Sequence, residues 1–309
     1  MDVSALVQRA LSGERAGIAR LLSLVEDGGP DVGEAMKILY SHTGRTYTIG
    51  ITGAPGGGKS TLTEKLVGHA RGEDLSVGVL AIDPSSPFSG GALLGDRVRM
   101  QSHATDPEVF IRSMATRGHL GGTSLATPEA VRVLDAVGKD IVVIETVGVG
   151  QAEVEITDAC DTTLVVVNPG WGDAVQAAKA GLMEIADVFV VNKADRQGAR
   201  QTVRELHQML ELSNAPWKPD IVSTIATKGS GITELWAAIE KHRAYQEEKG
   251  LLQARRRRRI ERELREIVAE RFRTRIETES RALLDELAGE VEARRLDPYE
   301  AADRLARSL

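Results

Sequence analysis

A chain of 309 residues, 42% of them hydrophobic, has enough apolar material for one large domain or two modest ones. Its formal net charge of −6 excludes a general nucleic-acid-binding surface, which needs an excess of Lys and Arg. The single cysteine, Cys160, excludes an internal disulfide and a CxxC site, and no apolar run approaches the roughly 20 residues that span a bilayer.

The start, Met1-Asp2-Val3-Ser4-Ala5-Leu6, has neither a basic beginning nor a continuous apolar core. No signal peptide is expected, and the chain reads as a soluble protein of the reducing cytoplasm. Residues 4 to 42 read as two helices. Leu6, Ala10, Ile18, Leu21, Leu22 and Val25 recur at helical intervals, Gly28-Gly29-Pro30 interrupts them, and Met36, Ile38, Leu39 and Tyr40 resume. These helices hold no catalytic constellation and suit packing or contact with a partner.

From about residue 46 to 240, short β-branched runs alternate with helical segments: Ile49–Thr52, Val77–Ile82, Val109–Ile111, Ile141–Ile144, Thr163–Val167, Val188–Val191 and Ile221–Ser223. Runs that are apolar on both sides suit strands buried on both faces. The fold class is therefore α/β, with a mainly parallel central sheet flanked by helices and ligand sites at the carboxyl ends of the strands.

The first run leads into Gly53-Ala54-Pro55-Gly56-Gly57-Gly58-Lys59-Ser60, followed by Thr61 and a helical segment. This is G-x-x-x-x-G-K-[ST] in its strand-then-helix setting, the phosphate loop of a P-loop NTPase. Glycines let backbone N–H groups close around phosphate oxygens, and the helix that follows directs its positive end at the anion. Lys59 can reach the β and γ phosphates, and Ser60 can ligate Mg²⁺.

The second run ends at Asp83, before Pro84-Ser85-Ser86-Pro87. That carboxylate suits a place beside Mg²⁺, with turn capping as the alternative. Gly90-Gly91 through Asp96, Arg97 and Arg99 has the composition of a nucleotide-sensing segment. In the glycine-rich stretch after the third run, Arg117 can meet developing charge or pair with a carboxylate, and His119 reads as a satisfied histidine rather than a base.

Glu145 closes the fourth run, with Gly148 three residues later and Gln151 beyond. This is the pattern of a Walker B carboxylate beside a loop that senses the γ-phosphate. Many small GTPases place Gln directly after that glycine to orient water. Val149 stands there instead, so slow intrinsic hydrolysis is expected unless Gln151 folds inward. Lys59, Asp96, Glu145 and Gln151 are the catalytic candidates; Ser60, Asp83, Asp96 and Glu145 are the metal-side ones.

Asn192-Lys193-Ala194-Asp195 follows the sixth run. Asp195 can accept two hydrogen bonds from guanine, N1–H and the exocyclic amine, while Lys193 covers the base and Asn192 braces the loop. Adenine has no N1–H, so a buried Asp195 would lose partners, and a site built on such bonds rejects the analogue lacking them by roughly 10⁴ or more. Thr224-Ile225-Ala226-Thr227 falls where a base-closing loop is expected; Ile225 in place of Ser leaves the backbone amides to do the closing. Trp171 reads as a loop aromatic for a partner or for packing.

Beyond about 240 the composition turns to Arg, Glu, Leu and Ala. The Arg255–Arg259 run is followed by Glu261, Glu263, Glu266 and Glu270, with Leu264, Ile267, Val268 and Phe272 at helical spacing. This is a solvated amphipathic helix, read as an arm for self-association ahead of RNA or acidic-partner binding. Pro298 starts a last short helix. The expected organisation is an N-terminal helical segment over 1–45, a nucleotide-binding domain over 46–245 and a C-terminal helical extension over 246–309.

The phosphate loop, Asp83-Pro84-Ser85-Ser86, Gly90-Gly91 to Asp96, Arg117 to Gly122, Glu145 to Gln151 and Asn192 to Asp195 together resemble the MeaB/MMAA/ArgK family of P-loop GTPases, over about residues 1 to 250. The resemblance implies a homodimeric G protein, using GTP and GDP with Mg²⁺, that chaperones a cobalamin-dependent acyl-CoA mutase of the methylmalonyl-CoA mutase type. It implies gating of adenosylcobalamin delivery and protection of the mutase from inactivation, with the cobalamin itself belonging to the partner. Its switch segments correspond to Asp83–Met100 and Glu145–Glu155. The chain departs from the family in the Trp-bearing stretch 168 to 173 and at Ile225. Rival readings are a P-loop kinase, for which no acceptor site with a positioned base is evident, and a metal-insertion GTPase, which relies on Cys- or His-rich motifs.

Overall fold

The computed structural model describes residues 2–83, 101–103, 105–115, 126–146, 156, 159–170 and 184–308, with only the backbone of Asp83, Gln101 and Ala115. Among these residues, seven strands form one sheet: β1 (Tyr47–Gly53), β2 (Val77–Asp83), β3 (Val109–Ala115), β4 (Ile141–Thr146), β5 (Thr162–Val167), β6 (Val188–Asn192) and β7 (Asp220–Thr224). The order is β3-β2-β4-β1-β5-β6-β7, and every pair is parallel. Parallel neighbours need crossover connections, which carry helices over the faces of the sheet.

Alternation along each strand feeds those faces. On one, Ile49, Ile51, Val79, Val143, Leu164, Val166 and Val190 pack with Leu62, Leu66 and Val67 of α4 (Lys59–Gly72) and Leu235 and Ile239 of α7 (Ile232–Glu248). On the other, Leu80, Ile82, Val142 and Ile144 meet α1 (Val3–Leu11), α2 (Arg15–Asp27), α3 (Pro30–Leu39) and α5 (Thr127–Ala136), while Val165, Val167, Phe189 and Val191 meet α6 (Ala199–Glu211). The N-terminal helices thus share their core with the sheet.

These N-terminal helices number three, where the sequence pattern suggested two. Ser12-Gly13 ends α1, with Gly13 in the left-handed region at φ 82. Gly17 on α2 lies so close to α1 that an added Cβ would stand 3.0 Å from the Ala10 nitrogen. The sequence also underestimated β3, which runs on through Arg112 and Ser113. Arg112 is accommodated because its guanidinium donates to Glu26 at 2.7 Å and Ser23 at 3.0 Å on α2.

At the amino-terminal end of the sheet a buried polar set ties α7 to the strands. Tyr47 OH and Thr162 Oγ1 are 2.6 Å apart, Thr162 Oγ1 and His242 Nδ1 2.8 Å apart, and Gln246 donates to the Asp161 carbonyl at 2.9 Å. Burial holds the Tyr47 phenol above its ordinary value of 10.0.

The chain divides into two compact units, Met1–Leu252 and Gln253–Leu309. The second consists of most of α8 (Leu251–Thr278), with α9 (Arg281–Glu292) and α10 (Pro298–Arg307). Ile260, Leu264, Ile267, Val268 and Phe272 are exposed along α8, and pairs such as Arg257–Glu261 at 3.1 Å stud its surface. Pro298 opens α10, where Asp297 caps the backbone N–H groups of Tyr299 and Glu300.

Candidate nucleotide-binding site

β1 lies between β4 and β5, so the loop leaving its carboxyl end emerges where a parallel α/β sheet opens its ligand crevice. Gly53 has φ 129 and faces the Val166 carbonyl so closely that any Cβ would collide with it. Gly58, at φ 86, is likewise closed to a side chain by the Asn192 amide. These contacts hold the loop in the shape from which α4 starts at Lys59. The first turn of a helix leaves backbone N–H groups without intrahelical acceptors. With the helix dipole, they make an anion seat.

The loop's carbonyls are held from several sides. Lys59 Nζ donates to the Gly53 carbonyl at 2.8 Å and the Ala54 carbonyl at 3.1 Å. Asn192 Nδ2 donates to the Gly57 carbonyl at 2.8 Å, and Lys193 Nζ to the Gly56 carbonyl at 2.6 Å. Two residues of the base-recognition motif therefore brace the phosphate loop directly. Asn192 also accepts from Thr224 Oγ1 at 3.1 Å and from the Ala226 N–H at 3.2 Å, so three loops meet at one buried amide.

Glu145, buried in β4 beside β1, lies across the start of α4. Its Oε1 accepts from Ser60 Oγ at 2.6 Å and its Oε2 from Thr63 Oγ1 at 2.9 Å. A serine hydroxyl and a carboxylate at this separation are hard oxygen donors, suited to Mg²⁺ with phosphate oxygens and water completing the shell. Among the described residues, no group of three or more His, Cys, Asp or Glu could hold a metal by itself.

Asp195, expected from the sequence to be buried, is instead exposed, in the loop that Asn192 and Lys193 anchor. Thr227 is exposed as well, and Thr61 and Ile225 are half-buried. A second expectation is corrected. The loop at Ile225 does not keep all its amides available, because Ile225 N–H donates to Ser230 at 3.0 Å and Ala226 N–H to Asn192. The side chain of Asp83, and Asp96, Arg97, Arg99, Arg117, His119, Gly148, Val149, Gln151 and Trp171, lie outside the described residues. Sequence reasoning missed Thr63, a buried hydroxyl one turn beyond Ser60 on the same side of the helix; that spacing was its only signal.

Phosphate loop, strand-end carboxylate and base loop interlocked in this way are the working parts of a P-loop GTPase. The family described as "Methylmalonyl Co-A mutase-associated GTPase MeaB" matches residues 18–281, and the chain belongs to it. A relative from Pyrococcus abyssi is 50% identical over 313 residues, covering 99% of this chain and 97% of its own length. The GTPase ArgK of Escherichia coli is 37% identical over 243 residues, 75% of this chain and 73% of that one. Among solved structures, one titled a LAO/AO transport system kinase superposes with a TM-score of 0.71 at 27% identity, covering 99% of this chain and 96% of its own.

Proposed function

We propose that this GTPase is a guanine-nucleotide switch that attends a cobalamin-dependent acyl-CoA mutase, gating adenosylcobalamin loading and protecting the partner. The reading is carried by the brace from Asn192 and Lys193 to the phosphate loop. Through it, the loop that reads the base and the loop that holds the phosphates respond to one ligand. The partner class comes from the family description, and the cobalamin is assigned to that partner.

In this reading Lys59 leaves the Gly53 and Ala54 carbonyls for the β and γ phosphates, which rest on the amino end of α4. Asp195 accepts N1–H and the exocyclic amine of guanine, while Lys193 lies along the base. Ser60, Glu145 and the carboxylates Asp83 and Asp96 are the residues that would hold Mg²⁺. The ion, when bound, neutralises charge developing on the transferred phosphoryl group. Gln151 is assigned the attacking water. As water bonds to the γ-phosphorus, the bridge to the β-phosphate breaks, yielding GDP and phosphate.

The segments 83–100 and 145–155 are assigned the switch roles. Just beyond the first, Ser102 Oγ donates to Glu64 at 3.0 Å, and His103 Nε2 lies 3.2 Å from the Glu64 carbonyl. Its exit is thus fastened to the helix that begins at the phosphate loop. A ligand with different affinities for two arrangements of such a segment sets the balance between them. We further assign the apolar stripe of α8 to self-association as a homodimer, acting in the cytoplasm without nucleic-acid or membrane partners.

The kinase reading, whose name the similar LAO/AO transport system kinase carries, makes an opposite chemical forecast: labelled γ-phosphate would pass to an acceptor rather than appear as inorganic phosphate. The test of the main reading is affinity capture from the native lysate with a non-hydrolysable GTP analogue bound. A cobalamin-dependent mutase subunit is expected to co-purify, in an amount that differs between the analogue and GDP. Its reproducible absence in both nucleotide states would remove the chaperone role while leaving the GTPase intact.

A further inference from the structure

We propose that Thr63 is a positioning residue for the magnesium ion, acting by fixing the plane of the Glu145 carboxylate. The inference rests on the GTPase reading and extends it to a residue outside the phosphate-loop motif. Thr63 is fully buried, and its hydroxyl lies 2.9 Å from Glu145 Oε2 and 3.0 Å from the Lys59 carbonyl. The second contact is the back-bond that a helical threonine makes to the residue four earlier. A hydroxyl has one proton to give, and a carboxylate draws it more strongly than a neutral carbonyl. The proton therefore points at Glu145.

Ser60 and Thr63, three residues apart on one helix, lie on one face and hold opposite oxygens of the same carboxylate. With both in place the group has a single orientation, in which Oε1 stays 2.6 Å from the Ser60 hydroxyl. Ser60 can then offer its lone pairs to an ion while its proton stays directed at Oε1. Without Thr63, Oε2 loses that donor, the carboxylate is held less firmly in its plane, and Ser60 and Glu145 meet the ion less well in register. Partners of this outer kind commonly change metal affinity by roughly 10-fold to 100-fold when removed. Binding of the base and of metal-free phosphate does not depend on them.

The test uses the full chain with GDP bound and Mn²⁺ as a paramagnetic probe, its free concentration read by electron paramagnetic resonance. Thr63→Val keeps the branched shape and removes the hydroxyl. It should raise the Mn²⁺ dissociation constant roughly 10-fold while GDP affinity in EDTA stays within about 2-fold, and Thr63→Ser should restore the wild-type value. Should the valine variant not fold, Thr63→Ala carries the same comparison. Unchanged Mn²⁺ affinity, or an equal loss of metal-free GDP affinity, overturns the proposal. Ser60→Ala separates the two levels. If it weakens Mn²⁺ and Thr63→Val does not, the positioning role fails and the GTPase reading stands; if wild-type protein with GDP takes up no Mn²⁺, both fail.

Discussion

Tyr47 begins β1 at the end of the sheet away from the phosphate loop, and its hydroxyl sits within the buried set formed with Thr162, His242 and Gln246. Burial disfavours the phenolate, so the folded-state pKa lies above the unfolded one. The stabilisation this implies is complete below the unfolded value, near 10, and is lost as pH rises from there through the folded value. Denaturant unfolding followed across that range should show wild-type protein losing stability more steeply than Tyr47→Phe. The variant itself should be less stable by about 1 kcal/mol at neutral pH, from the hydrogen bond removed. Parallel curves for the two proteins would mean that Tyr47 does not control the alkaline limb. Residues of this kind were poorly legible beforehand. The contact between Thr63 and Glu145 joins positions 82 apart in the chain, and the Thr63 hydroxyl stood in no motif. Lys59, Asn192 and Lys193 stood in motifs of fixed residue type and spacing, and their side chains meet at the one loop.

At the scale of elements, all seven strands could be read from short β-branched runs, and β1, β4, β5 and β6 are buried along their whole length, which demands unbroken apolar runs. The extent of β3 could not, since Arg112 becomes tolerable only once Glu26 and Ser23 of α2 stand beside it. The α1–α2 break at Ser12-Gly13 was hidden by a hydrophobic pattern that continues in phase on both sides. The arm shows the converse case. Leu264 and Phe272 are 57% and 47% exposed on α8, a heavy apolar stripe for a helix otherwise covered by arginine and glutamate. If that stripe mediates self-association, Leu264→Arg combined with Phe272→Arg should halve the mass seen by light scattering. The nucleotide affinity of residues 1–252 should be unaffected. A wild-type chain that is already monomeric at micromolar concentration would contradict the assignment.

Over the whole molecule, one rigid parallel sheet fixes the phosphate loop, Glu145 and the base loop, and side chains rather than backbone join them into a unit. Asn192 is the joint: it touches Gly57 in the first loop and Thr224 and Ala226 in the third. In the proposed reading, guanine bound at Asp195 would be felt at the phosphates through this joint, as a switch requires. Calorimetric comparison of GDP with ADP in Mg²⁺, for the wild type and for Asp195→Asn, tests this most directly. ADP should bind the wild type weaker by roughly 10⁴, and Asp195→Asn should lose most of that preference while still binding xanthosine diphosphate. Equal affinity for GDP and ADP, or a guanine preference that survives Asp195→Asn, would contradict it.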